Sequence, residues 1–115
     1  MISKTDWRVE YDQEIARALL ARSASNEGMA RVCARRAAGI VIGEYLIRQG
    51  FSGLNSSAYD RLTLFDSLED MDERCKEVAR HFLLKVGQNH RLPEDIDLIQ
   101  DITWLRGKLL SNNNA

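Results

Sequence analysis

The chain has 115 residues and a formal net charge of −1, with 29% charged and 44% apolar residues. That length suits one domain with a modest core. The near-neutral balance excludes a general electrostatic pull toward nucleic acid or an anionic membrane, so such a contact would need a local basic patch.

Trp7, Tyr11, Ile15, Ala18 and Leu19 recur at helical spacing and predict a first helix over Asp6 to Arg22, capped by Ser3 or Thr5. Ser23-Ala24-Ser25-Asn26 is a polar break, and Glu27 favours a new helix N-terminus. The second helix is predicted over Glu27 to Gln49, with Met29, Val32, Cys33, Ala37, Ile40, Val41 and Ile47 as its stripe. Gly50 closes it as a left-handed cap would. From Ala37 to Leu46 this helix is apolar or small on almost every side, with Glu44 in the middle. A helix apolar all round must be covered all round, which makes it the expected central post of a helical domain.

Phe51 to Ser57 reads as a loop rich in Ser, Gly and Asn. A short third helix follows, Ala58 to Leu68, where Ser57-Ala-Tyr-Asp60 resembles a capping box and Leu62, Phe65 and Leu68 face inward. The fourth is predicted over Met71 to Val86, with Met71, Cys75, Val78, Ala79, Phe82, Leu83 and Val86 as its stripe and Gly87 as its stop. Pro93 suits the first turn of a fifth helix, running to Leu110 with Leu98, Ile99, Ile102, Leu105 and Leu109 inward. Residues 111–115 read as a disordered tail behind a single domain over residues 1–110.

Met1 to Trp7 lacks the apolar stretch of a secretion signal. The run Ala37 to Gly43 falls far short of the roughly 20 residues of a membrane span. Cys33 and Cys75 lie on separate apolar faces and are expected to be buried, reduced thiols. These features together predict a cytoplasmic protein without membrane contact.

Several side-chain groups could carry chemistry. Gly39-x-x-x-Gly43, with Ala34 and Ala38 beside it, is a small-residue ridge expected to let a neighbouring helix approach, or to seam a homodimer. Glu27, Arg31 and Arg35 step by four as a surface ladder. Arg36 sits nearer the apolar stripe and is expected to tie to Glu44; this pair would also be the binding site if the bundle core held a small ligand. Arg74 and His81, seven apart, share a flank of the fourth helix about 110° from the centre of its stripe. There they could supply a phosphate-holding cation and a general acid–base. Trp104 and Leu84 lie off their stripes and suggest a contact surface. No CxxC, HxxxH or ExxH occurs, so no metal and no cofactor is expected.

The order of elements, and the Ala-Arg-Arg-Ala-Ala-Gly…Glu-Tyr-Leu…Gly pattern within residues 30–50, resembles the HEPN group of small helical-bundle proteins. The likeness extends loosely to the fourth helix. There Arg74-Cys-Lys-Glu-Val-Ala-Arg-His81 meets the upper spacing of the group's ribonuclease motif, an arginine and a histidine with four to six residues between them. The resemblance implies Arg74 and His81 as catalytic residues working across a homodimer interface. Cys75 stands where the active motif commonly has a polar residue, often Asn. Many members of the group are inactive and serve as binding modules.

The expectation is therefore an all-α, HEPN-like, up-and-down bundle of four long helices and one short one. Its leading function is a non-catalytic interaction or nucleic-acid-associated module, homodimeric, with RNA or protein as a further partner. A metal-free ribonuclease using Arg74 and His81 is the alternative. A core ligand binder at Arg36 and Glu44 is the third reading.

Overall fold

The computed structural model describes residues 6–84 and 96–110, which form five helices and no strand. They are α1 (Trp7–Ser23), α2 (Glu27–Arg48), α3 (Ala58–Asp66), α4 (Glu73–His81) and α5 (Leu98–Leu109). The fifth helix starts at Leu98 rather than at Pro93, because the extended Asp97 caps it by accepting from the Ile99 and Gln100 N–H groups; Pro93 itself, the Gly87 stop and the 111–115 tail fall outside the described residues.

Local chemistry sets each boundary. Asp6, rather than Ser3 or Thr5, caps α1, accepting from the Arg8 N–H at 2.9 Å. Asn26 caps α2 through the Met29 N–H, and Ser57 caps α3 through the Asp60 N–H. The capping box at α3 is half made. Asp60 takes its bond from Asn55 Nδ2 at 2.8 Å, while the Ser57 N–H goes to Asn55 Oδ1 at 2.9 Å. Gly50 has φ +98° and ends α2 as expected, with the Phe51 N–H on the Leu46 carbonyl and the Gly50 N–H on the Ile47 carbonyl. The same pair of bonds ends α1 around Ser25, which adopts φ +62° without being a glycine.

The core runs along α2, against which α1, α3 and α5 pack; α4 rests on α3 and α5. Phe65, Ile42, Leu46, Leu62, Ile102 and Leu105 are fully buried, each stabilising the fold by roughly 1.5–3 kcal/mol on the apolar-transfer scale. Tyr45 meets Phe65 edge to face with centroids 5.8 Å apart. At Gly39 the backbone of α3 comes close, since an added Cβ would lie 2.8 Å from the Ala58 Cβ and 3.0 Å from its Cα. The glycine ridge thus serves packing within the chain.

Two further expectations need correction. The fourth helix is not long. Asp72 caps it, the last turn tightens through Phe82 N–H to Ala79 O and Leu83 N–H to Arg80 O, and it ends at His81. Arg35 of α2 fixes that end by donating to the carbonyls of Phe82 (3.1 Å) and Leu84 (3.2 Å), which satisfies acceptors a helix terminus leaves open. Helix α2, for its part, is not covered all round. Met29, Val32 and Ile47, assigned to its inner stripe, are exposed, as are Val9, Leu19 and Leu20 of α1. Three neighbours leave a strip of α2 open between α1 and α3.

Candidate functional site

Arg74 and His81 both face α5. Asp101 and Trp104, three apart on α5, share a face and meet them. His81 Nδ1 lies 2.8 Å from Asp101 Oδ2, with both side chains about three-quarters buried. When Asp101 accepts from Nδ1–H, Nε2 is left as the ring's acceptor. The Arg74 guanidinium lies over the Trp104 ring, 5.2 Å from its centroid, and Lys108 approaches the same ring at 5.8 Å. Trp104 is therefore half-buried beneath two cations, not the bare apolar surface expected of it. Arg74 has no carboxylate within ion-pair distance among the described residues, so its N–H groups remain available to an anion. The seven-residue step from Arg74 to His81 spans about 10 Å of helix axis. Asp101 escaped sequence reading because its role depends on how α5 crosses α4, which periodicity does not encode.

The Arg36–Glu44 tie does not form. Arg36 is exposed, and Glu44 accepts from Arg48 Nε at 2.9 Å, one turn on along the same helix. The two residues are eight apart on one straight helix, about 12 Å along the axis, so they meet only through an intermediary. Glu44 instead lines an open groove of about 710 Å³ over the outer side of α2, with Trp7 and Glu10 of α1, Ile40 and Ile47 of α2 and Arg61 of α3. Arg36 is not part of that lining, so the pair defines no site in the bundle core. Arg61 was not anticipated. Its Nε donates to the Asn55 carbonyl at 2.7 Å and its Nη1 to the Gly39 carbonyl at 3.0 Å, which locks α3 onto α2.

The surface ladder is also rewired. Both Glu27 oxygens go to Arg22, at 2.7 and 3.1 Å, and Arg22 reaches on to Asp97, the cap of α5, at 3.2 Å. The hydrogen bond from Arg22 holds the Glu27 carboxyl below its usual range. Burial pushes the Asp97 carboxyl up, but Arg22 and the N–H groups of Ile99 and Gln100 outweigh it and bring it below its usual value. Arg22 itself is raised, chiefly by Glu27. Arg35, the ladder's last rung, serves the end of α4.

Cys33 and Cys75 are free and buried, and burial raises both thiols above their ordinary value, which keeps them protonated at neutral pH. Glu14 places a buried Oε1 with no hydrogen-bond partner near Cys33, and its charge adds to that rise. Among the described residues no three His, Cys, Asp or Glu side chains converge in a way that could hold a metal, and no helix is long and apolar enough to cross a membrane. No family model, curated protein or solved structure matches the chain.

Proposed function

We propose that this protein is a non-catalytic interaction module of HEPN-like, up-and-down helical architecture that works as a cytoplasmic homodimer. The observation that carries this reading is the placement of exposed apolar groups. Of eight large apolar side chains exposed among the described residues, six (Val9, Leu19, Leu20, Met29, Val32 and Ile47) lie on α1 and α2. Scattered exposed apolar residues are ordinary, whereas a set gathered on one helical hairpin marks a contact surface. Light scattering tests it directly: a dimer is expected, unchanged by His81→Ala. A chain that stays monomeric at high micromolar concentration ends this reading.

A second reading, a metal-free ribonuclease, is favoured by the contact of His81 with Asp101 beside an Arg74 that has no carboxylate partner. In it the His81 Nε2 takes the proton of a ribose 2′-hydroxyl and Arg74 holds the phosphate oxygens. RNA cleavage in the presence of a chelator, abolished in both Arg74→Ala and His81→Ala, is the expected result. Cleavage that survives either substitution refutes it.

A further inference from the structure

The hairpin of α1 and α2 carries two apolar faces that match each other in height. The turn sets the register. Asn26 N–H bonds the Ala21 carbonyl, and Arg22 pairs with Glu27 across the turn. Stepping away from it, Leu20 is level with Met29, Ala16 with Val32, Gln13 with Arg36, and Val9 with Ile40. At the far end, Trp7 and Glu10 line one groove with Ile40 and Glu44, which keeps the same register.

Each set also points one way. At 3.6 residues per turn, Val9, Gln13, Ala16 and Leu20 fall within about 60° of one another, on the side of α1 opposite buried Tyr11 and Ala18. Met29, Val32, Arg36 and Ile40 fall within about 80°, on the open strip of α2. Leu20 is 71% exposed, Val9 49% and Met29 45%.

From this juxtaposition we infer that the occupant of the open strip of α2 is α1 of a second copy of the chain, related by a two-fold axis parallel to the two helices. The inference rests on the self-association reading and adds the face and the register. An axis in that direction preserves height, so each layer of α1 meets the matching layer of α2 in the other copy. Leu20 packs on Met29, Ala16 on Val32, and Val9 on Ile40. The two hairpins close into a four-helix arrangement, each burying the strip that its own chain leaves open. The contact is isologous, as a closed dimer requires.

The polar groups are compatible with this pairing. Arg36 is the one cation within the strip, and it meets Gln13 of the second copy, whose side-chain oxygen can accept from it. Glu10 lies one turn from Gln13. Neither Arg36 nor Glu10 has an ion partner in its own chain among the described residues. Association through α1 and α2 uses no residue of α4, so the Arg74 and His81 of each copy stay outside the seam.

Mixed single-cysteine variants test the register. Leu20→Cys and Met29→Cys are made separately, with the buried Cys33 and Cys75 left in place, then combined under mild oxidation with copper–phenanthroline. Covalent dimers are expected from the mixture, up to the half of all dimers that random pairing makes mixed, and from neither variant alone. Because both side chains are exposed, folding should be unaffected, which circular dichroism verifies. If light scattering shows a dimer but the mixture does not cross-link, or if a mixture of Met29→Cys and Ile47→Cys cross-links instead, the inferred face or axis is wrong and self-association stands. A monomer by light scattering overturns both.

Discussion

Gly39 and Gly107 both sit inside helices, and the same substitution is expected to act in opposite directions at the two. An alanine stabilises a helix interior by roughly 0.5–1 kcal/mol over glycine, because glycine loses more backbone freedom on folding. At Gly107 nothing lies within 4 Å of the new Cβ, so Gly107→Ala should gain that full amount. At Gly39 the new Cβ would lie 2.8 Å from the Ala58 Cβ and 3.0 Å from its Cα. The second of these atoms is backbone at the start of α3, which Ser57 caps and Arg61 ties to the Gly39 carbonyl. Relief therefore requires α3 to shift by several tenths of an ångström. Overpacking of this kind costs about 1–3 kcal/mol, which leaves Gly39→Ala destabilised by about 1 kcal/mol after the helix gain. The two variants should differ by about 2 kcal/mol in urea titrations followed by circular dichroism. In a double-mutant cycle with Ala58→Gly, part of the loss at Gly39 should return, since the closest atom has been removed. Equal stabilisation by Gly39→Ala and Gly107→Ala would mean that α3 does not press on α2 where the structure places it.

Ser25→Gly should stabilise the fold by about 0.5 kcal/mol. It relieves roughly 1–2 kcal/mol of strain at φ +62° and gives back about 0.4–1 kcal/mol in unfolded-state entropy. Ser25→Val, β-branched at the same φ, should lower the melting temperature, and a rise would refute the turn geometry. The link of Arg22 to Glu27 and Asp97 predicts an acid-sensitive contribution. Both carboxyls are held below their unfolded values, so the stabilisation is complete above those values, near pH 4, and is lost as pH falls through the lower folded ones. Asp97→Asn keeps an oxygen to cap α5 but removes the charge, so it should cost about 0.5–1 kcal/mol at pH 7, discounted for partial solvent exposure. The gap between Asp97→Asn and the parent chain should close between about pH 5 and pH 2. A gap that stays constant with pH would show that the pairing with Arg22 contributes nothing.

What the sequence shows most directly is what depends on a single helix. Asn26, Ser57 and Gly50 act at helix ends as their local chemistry dictates, because caps and left-handed terminations involve only a few consecutive residues. The all-helical class is equally local, following from the spacing of apolar residues. The errors begin where a second helix decides. Arg35 reads as a rung on a surface ladder, yet it is long enough to reach the end of α4, and those carbonyls need donors more than Arg31 or Glu27 needs another neighbour. Arg36 and Glu44 read as a tie because both lie near the apolar stripe. A hydrogen bond from Arg48, one turn away, meets the need of Glu44 at less entropic expense than a reach of two turns.

The open strip of α2 is the most instructive of these cases. Apolar periodicity establishes that a surface must be covered and is silent on which chain covers it. Ala30, Cys33, Ala34, Ala37, Ala38 and Val41 are almost completely buried by the chain's own helices, whereas Met29, Val32 and Ile47 on the adjoining side are not. Both groups carry the same signal in the sequence. They differ in size, since the small residues admit helix backbones at close range while the large ones stand out from the ridge. Small residues on a central helix thus mark neighbours within the chain, as Gly39 marks Ala58. Met29 and Val32, level with a bare face of α1, carry the inference that the remaining neighbour is a second copy.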